Sequence, residues 1–171
     1  KIMIAFEKVI LRVMPNIVVV VGDVNSTLAC AIVASKLNIK IAHVEAGLRS
    51  FDRTMPEEIN RIVTDSLSDY LFVSEESGLV NLKSEGANSK NVHFVGNIMI
   101  DTLLSKMEKI AKSNILNSLA VRYKTKKLKL DTYAVLTLHR PVNVDSKESL
   151  TNIYNILKAI SKKTKIVYPV H

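Results

Sequence analysis

Titratable and polar side chains recur directly after the apolar runs of this sequence. Asp23 follows Ile17–Val21, and His43, Glu45 and Arg49 cluster where Ile39–Val44 ends. Glu57 and Glu58 stand in Pro56-Glu57-Glu58-Ile59-Asn60-Arg61, and Asn97 follows Val92–Val95. His139 and Arg140 follow Tyr133–Leu138, and His171 follows Ile166–Val170. Carboxylates that converge on one cleft repel each other, which raises some of their pKa values. Carboxylates with separated values can serve as acid and as base. His139 and Arg140 could sit on phosphate oxygens, where the guanidinium offers a bidentate fork. The set fits an enzyme acting on a phosphorylated or nucleotide-bearing small molecule with an exchangeable C–H or hydroxyl.

Each residue also has a plainer reading. Asp23 could cap a helix. One of Glu57 and Glu58 could simply oppose a helix dipole. His43 sits inside a strand pattern and reads as a core histidine, or one that supports the site from behind. Gly22 and Gly47 could serve turns. The Lys-rich run at 124–129 reads as a solvated face.

The elements that must position these residues follow from hydrophobic period. Helical spacing at Ile4, Val9, Ile10 and Val13 ends at Pro15. Five β-branched residues, Ile17–Val21, predict a strand buried on both faces. Ser26 is a plausible N-cap for a helix from Thr27 to Leu37. Ile39–Val44 predicts a second strand and Glu45 to Met55 a loop, with Pro56 opening a helix to about Leu67. Tyr70–Val73 and Val92–Val95 predict strands, with helices at Glu75–Ser84 and Ile98–Lys112. Beyond a stretch with little periodicity, Tyr133–Leu138, Ser146–Ile160 and Ile166–Val170 predict strand, helix and strand. Strands alternating with helices mean parallel βαβ units. Such sheets bind ligands beyond the carboxyl ends of their strands, where the polar residues above are found.

Composition bounds the rest. The chain has 171 residues, 47% hydrophobic and 23% charged, with 5 Gly and 4 Pro, which excludes disordered and collagen-like classes. Its mean hydropathy is +0.16. A net charge of +8 could mark a nucleic-acid binder. Residues 1–105, however, carry 10 basic and 12 acidic side chains, whereas residues 106–130 carry 8 and 1. Most of the excess lies in one short stretch, without the aromatic or glycine interleaving of a nucleic-acid surface. Neither a nucleic-acid partner nor a membrane is expected. No apolar run approaches the ~18 residues that span a bilayer. The single cysteine, Cys30, lies in an apolar run and reads as a buried, inert thiol in a reducing, cytoplasmic setting. The chain opens on Lys1 within an amphipathic run and closes on His171 straight after an apolar one, which reads as a fragment.

Several segments occur in a recognisable order: Gly22-Asp23-Val24-Asn25-Ser26-Thr27, His43-Val44-Glu45-Ala46-Gly47-Leu48-Arg49, Pro56-Glu57-Glu58-Ile59-Asn60-Arg61, Val95-Gly96-Asn97 with Asp101, Leu138-His139-Arg140 and Tyr168-Pro169-Val170-His171. This pattern closely resembles the non-hydrolysing UDP-N-acetylglucosamine 2-epimerases over the whole chain. The second and third segments together are specific. The resemblance implies an α/β fold of two Rossmann-like domains with parallel sheets in a GT-B arrangement. It implies the interconversion of UDP-GlcNAc and UDP-ManNAc without NAD or another cofactor and without a metal. The C2 proton is removed and UDP expelled to give a 2-acetamidoglucal, and UDP then re-adds with C2 inverted. The product feeds surface polysaccharides.

By motif, the resemblance assigns Asp23, Glu45 and Glu57 as catalytic carboxylates and His139 as the histidine facing the departing UDP. Arg140, His171, Arg49 and Asn97 match positions that contact UDP-GlcNAc in the substrate site or in an allosteric one. The expected organisation is the remainder of an N-terminal domain at 1–112, a connection at 113–131 and the start of a C-terminal domain at 132–171. The full-length protein is expected to be a homodimer, and these 171 residues alone to be inactive. The family's upstream Gly-Thr-Arg-Pro-Glu type loop and downstream Ser-Gly-Gly type loop are absent, and Pro141-Val142-Asn143 stands where Arg-Glu-Asn is usual. Three rival readings stand beside this one: a hydrolysing relative releasing ManNAc, a GT-B glycosyltransferase, and a module binding anionic polymers through residues 106–130.

Overall fold

The short β-branched and aromatic runs pair side by side, because each helix between them returns the chain to the same edge of the sheet. The structure, a computed structural model, describes residues 1–122, 133–138 and 141–170. It divides into two units, Lys1–Lys106 and Met107–His171.

In the first unit, helix α1 (Ile2–Val13) precedes β1 (Ile17–Val21), α2 (Asn25–Lys36), β2 (Lys40–Ala46), α3 (Pro56–Leu67), β3 (Tyr70–Val73), α4 (Glu76–Ser84) and β4 (Val92–Phe94). Helix α5 (Ile98–Ala111) begins in this unit. The four strands form one parallel sheet in the order β1-β2-β3-β4. Met14 ends α1 in a left-handed conformation, its N–H donating to the Ile10 carbonyl, just before Pro15. Pro56 opens α3 with Glu57 and Glu58 in the first turn, where a missing N–H is harmless and negative charge favours the dipole.

Two apolar clusters hold the sheet to its helices. Ile10, Val20, Ala31, Val33, Ala34 and Ile41 form one, with the fully buried alanines letting α2 approach the strands closely. Ala46, Leu71, Val73 and Leu82 form the other. Each fully buried Ile or Leu contributes about 1.5–3 kcal/mol. Cys30 is half-buried against the first cluster, and that burial pushes its thiol pKa up, in line with an inert core thiol.

Three expectations are corrected. Strand β1 is not buried on both faces: only Val20 is, while Ile17, Val19 and Val21 are exposed. Among the described residues β1 is the edge of its sheet, and an edge strand has a neighbour on one side only. Helix α2 begins at Asn25 rather than Thr27, with Val24 rather than Ser26 at the cap. Thr27 Oγ1 instead donates to the Val21 carbonyl at 2.7 Å, tying the first turn back to β1. Finally, β2 does not stop at Val44 but continues to Ala46.

In the second unit, α6 (Ile115–Arg122) is followed by β5 (Tyr133–Val135), α7 (Pro141–Val144), α8 (Lys147–Ser161) and β6 (Lys165–Val167). Strands β5 and β6 pair in parallel. Ser146 caps α8, its hydroxyl accepting from the Ser149 amide at 3.0 Å. Both strands are shorter than the apolar runs predict, and α7 gave no signal in the sequence. No helix among the described residues is long and apolar enough to cross a membrane.

Candidate active site

Strand β2 is where the site is built. Val44 pairs with Phe72 and Ala46 with Val73, so Glu45 is an extra residue in the ladder, a β-bulge. Its φ is +76°, a left-handed conformation unusual for a non-glycine residue. A bulge re-aims a side chain that regular alternation would send to one face of the sheet. Here it brings the Glu45 carboxylate against the turn after β1: a Cβ on Gly22 would lie 3.3 Å from Glu45 Oε2. Gly22 has φ +69°, and its amide donates to the Val44 carbonyl at 3.0 Å. The two turns that carry Asp23 and Glu45 are therefore joined through backbone.

Helix α3 supplies the rest. Asn60 Nδ2 donates to the Asp23 carbonyl at 2.8 Å and to Asn25 Oδ1 at 3.0 Å. Arg61 donates through Nε at 3.0 Å and Nη2 at 2.6 Å, both to Asp23 Oδ2. Asp23 Oδ1 has no hydrogen-bond partner among the described residues, and the side chain is 32% exposed. Asp23 is thus no helix cap: it is a carboxylate neutralised on one oxygen and open on the other. Glu57 precedes Arg61 by one helical turn on the same face and is half-buried. Neither Glu57 nor Glu45 has a hydrogen-bond or ion-pair partner among the described residues, so both are available to a ligand.

Glu58, the second acid of the motif, does something different. It is buried and accepts from the Ser50 amide at 2.8 Å, the Ser50 hydroxyl at 3.0 Å and the Phe51 amide at 2.9 Å. Arg61 Nη1 completes the set at 3.0 Å. Burial pushes its pKa up, but these four donors outweigh burial and hold it below the ordinary value. Burial likewise acts to lower the Arg61 pKa, yet Asp23 and Glu58 raise it overall. Glu58 fastens the loop after β2 to the start of α3, and Arg61 offsets the gathered negative charge. The sequence had shown the acids but not this compensation. Its signal was Arg61 at one turn from Glu57 and three residues from Glu58.

Two expected ligand contacts have other partners here. Arg49 donates from Nη2 to Asp65 Oδ2 at 2.8 Å and to Glu85 Oε2 at 2.6 Å, and from Nε to Glu85 Oε1 at 2.8 Å. Its Nη1 donates to the Leu48 carbonyl at 2.7 Å, and the side chain is 1% exposed. Burial works against its charge, but Glu85 and Asp65 raise its pKa on balance. Arg49 is committed within the protein. Asn97 Oδ1 accepts from the Met99 amide at 2.9 Å and so stabilises the first turn of α5. His43 is fully buried, as its place in the strand pattern predicts. His139, Arg140, His171 and the lysine run at 124–129 lie outside the described residues.

Parallel βαβ units define a Rossmann-like α/β protein, with acids gathered at the carboxyl ends of its strands as a candidate ligand edge at Asp23, Glu45 and α3. The sequence profile of the UDP-N-acetylglucosamine 2-epimerase family matches residues 1–171, and the chain belongs to that family. It is 49% identical over 167 residues to a UDP-N-acetylglucosamine 2-epimerase homolog of Methanococcus maripaludis, covering 96% of this chain and 44% of that protein. It is 41% identical over 174 residues to a UDP-2,3-diacetamido-2,3-dideoxy-D-glucuronate 2-epimerase of Pseudomonas aeruginosa, covering 100% and 46% respectively. A crystal structure of Methanocaldococcus jannaschii UDP-GlcNAc 2-epimerase in complex with UDP-GlcNAc and UDP matches with a TM-score of 0.88 and 44% identity, over 99% of this chain and 46% of that one. The fold class is the Rossmann-like, GT-B type of these structural relatives. The chain spans about half the length of the relatives it matches.

Proposed function

We propose that the full-length protein is a non-hydrolysing epimerase that interconverts UDP-GlcNAc and UDP-ManNAc, and that this chain carries the acids for proton transfer at C2. The observation that supports the reading most is the bulge at Glu45, which spends a left-handed residue to set a carboxylate over the turn that bears Asp23. A base within hydrogen-bond reach takes the C2 proton. The C1–O bond breaks, its electron pair leaves with UDP, and C1=C2 forms in a 2-acetamidoglucal. Return of a proton to the opposite face of C2 and of UDP oxygen to C1 completes the inversion. Two proton carriers on opposite faces are needed, and Asp23, Glu45 and Glu57 are the candidates. His139, with Arg140, is assigned to the diphosphate, whose developing charge must be stabilised as it departs.

The rest of the reading follows the family pattern. We place residues 1–112 in the N-terminal domain, 113–131 in the connection and 132–171 in the start of the C-terminal domain. The full-length protein works as a cytoplasmic homodimer without a cofactor and supplies surface polysaccharide synthesis, while these 171 residues alone give no turnover. The similarity to a 2-epimerase named for a diacetamido glucuronate favours a second substrate of the same kind, a UDP-linked 2-acetamido sugar with a different substituent pattern.

Incubating full-length protein with UDP-GlcNAc in D2O tests the proposal. The expected result is UDP-ManNAc, with deuterium at C2 in both epimers. Free ManNAc as the main product would replace this reading with the hydrolysing one. Faster turnover of the diacetamido glucuronate substrate would keep the mechanism and change the substrate.

A further inference from the structure

We propose that His43 and Asp65 form a buried imidazolium–carboxylate pair that positions Asp23 and Glu45 for the reaction, an inference that rests on the epimerase reading. His43 Nδ1 lies 2.6 Å from Asp65 Oδ1, and Nε2 lies 2.9 Å from the Gly22 carbonyl oxygen. A carbonyl oxygen can only accept, so Nε2 carries a proton. The carboxylate facing Nδ1 already accepts from the Gly47 amide at 3.0 Å and from Arg49 Nη2 at 2.8 Å, two donors that favour its ionised form. Nδ1 therefore carries a proton too, and the ring is cationic.

The surrounding charges balance that assignment. Asp65 faces the ring from α3, Arg49 reaches Asp65 from the loop after β2, and Glu85 reaches Arg49 from the end of α4. Two cations and two anions leave the cluster neutral. The side chains of His43, Asp65 and Arg49 are at most 3% exposed. A group that only filled space would need none of this, since apolar residues of similar volume fill a core without the cost of burying charge.

Its connections give the pair its purpose. The Gly22 carbonyl belongs to the residue before Asp23, and the Gly47 amide lies two residues after Glu45. One chain of contacts, Gly22 O–His43–Asp65–Gly47 N, thus spans both acid-bearing turns from beneath. Gly47 also packs directly against α4, with no room for a side chain: a Cβ there would lie 2.6 Å from the Gly78 carbonyl oxygen. His43 and Asp65 touch no substrate on this reading; they are positioning residues.

Two measurements on the full-length protein decide the proposal. With 15N-labelled histidine, NMR at the pH of the activity assay is expected to show hydrogen-bonded protons on both ring nitrogens of His43. The signal is assigned by its loss in His43→Gln. In kinetics, His43→Leu is expected to lower kcat about 100-fold with KM changed less than about 3-fold, the cost of misplacing catalytic groups by about 1 Å. His43→Gln, which keeps one donor, is expected to recover about 10-fold of that loss, on the scale of one hydrogen bond. A single ring N–H under those conditions, or a folded His43→Leu with kcat within about 2-fold of the parent, would overturn the pair. Should His43→Leu fail to fold, the NMR and the Gln variant decide. A wild-type protein that does not epimerise UDP-GlcNAc overturns the functional reading instead, and the NMR result then still stands for the pair itself.

Discussion

Two arginines of the first unit, Arg49 and Arg61, each pair with two carboxylates, and they differ in what they leave open. Arg49 gives every nitrogen to Asp65, Glu85 or the Leu48 carbonyl, and both oxygens of Asp65 are taken. Arg61 meets Asp23 on one oxygen alone, with the Asp23 side chain 32% exposed. The same two residue types therefore make a closed joint in one place and a charged, unfinished site a few residues away. What separates a structural pair from a candidate ligand site here is not charge but unfilled hydrogen-bonding capacity in contact with solvent.

The largest effect is expected on the open side. Asp23→Asn or Glu45→Gln in full-length protein should lower kcat for epimerisation about 1000-fold, with circular dichroism unchanged. A loss below about 10-fold in both would show that the open pair is not part of the proton-transfer machinery. On the closed side the loss should be one of stability. Arg49→Leu removes the guanidinium that Asp65 and Glu85 share and should lower the unfolding free energy in urea by about 3 kcal/mol. Arg61→Leu should cost less, about 1–2 kcal/mol, because Asp23 regains water and Glu58 keeps its three donors from Ser50 and Phe51. Equal losses from the two variants would erase the distinction.

The smallest effect is a test of pH. The Glu58 carboxyl titrates below its ordinary value of 4.5, so the unfolded chain binds that proton more readily than the folded one. Its contribution to stability is full above pH 4.5 and is lost as pH falls through the lower, folded-state value. Glu58→Gln should lower stability at pH 7 by about 1 kcal/mol and flatten its decline below pH 4.5. Acid titrations of parent and variant that run parallel would assign the acid sensitivity elsewhere.

Much of this organisation was legible before the fold was known. The run Ile17–Val21 and the segment Pro56-Glu57-Glu58 mark elements that local chemistry alone specifies, by β-branching in one case and by helix-start residues in the other. The bulge was not legible, because alternation along one strand says nothing about an extra residue opposite a neighbour. The partners of Arg49 and Arg61 were hidden for a related reason. Glu85 is 36 residues from Arg49, and Asp23 is 38 from Arg61, so both pairs exist only once strands and helices have met. The exposure of β1 likewise depends on what lies beside it rather than on its own five residues. The acids themselves could be found because ligand sites in parallel sheets fall where strands end.

The left-handed backbone at Glu45 also bears on how this protein can be improved. A non-glycine residue there costs about 1 kcal/mol relative to an unstrained one, and glycine would relieve it. Engineering for thermal stability would favour that change, and would remove the carboxylate that the bulge exists to present. Under the proposed mechanism, stability and activity are set against each other at a single residue, and selection for one should be expected to erode the other.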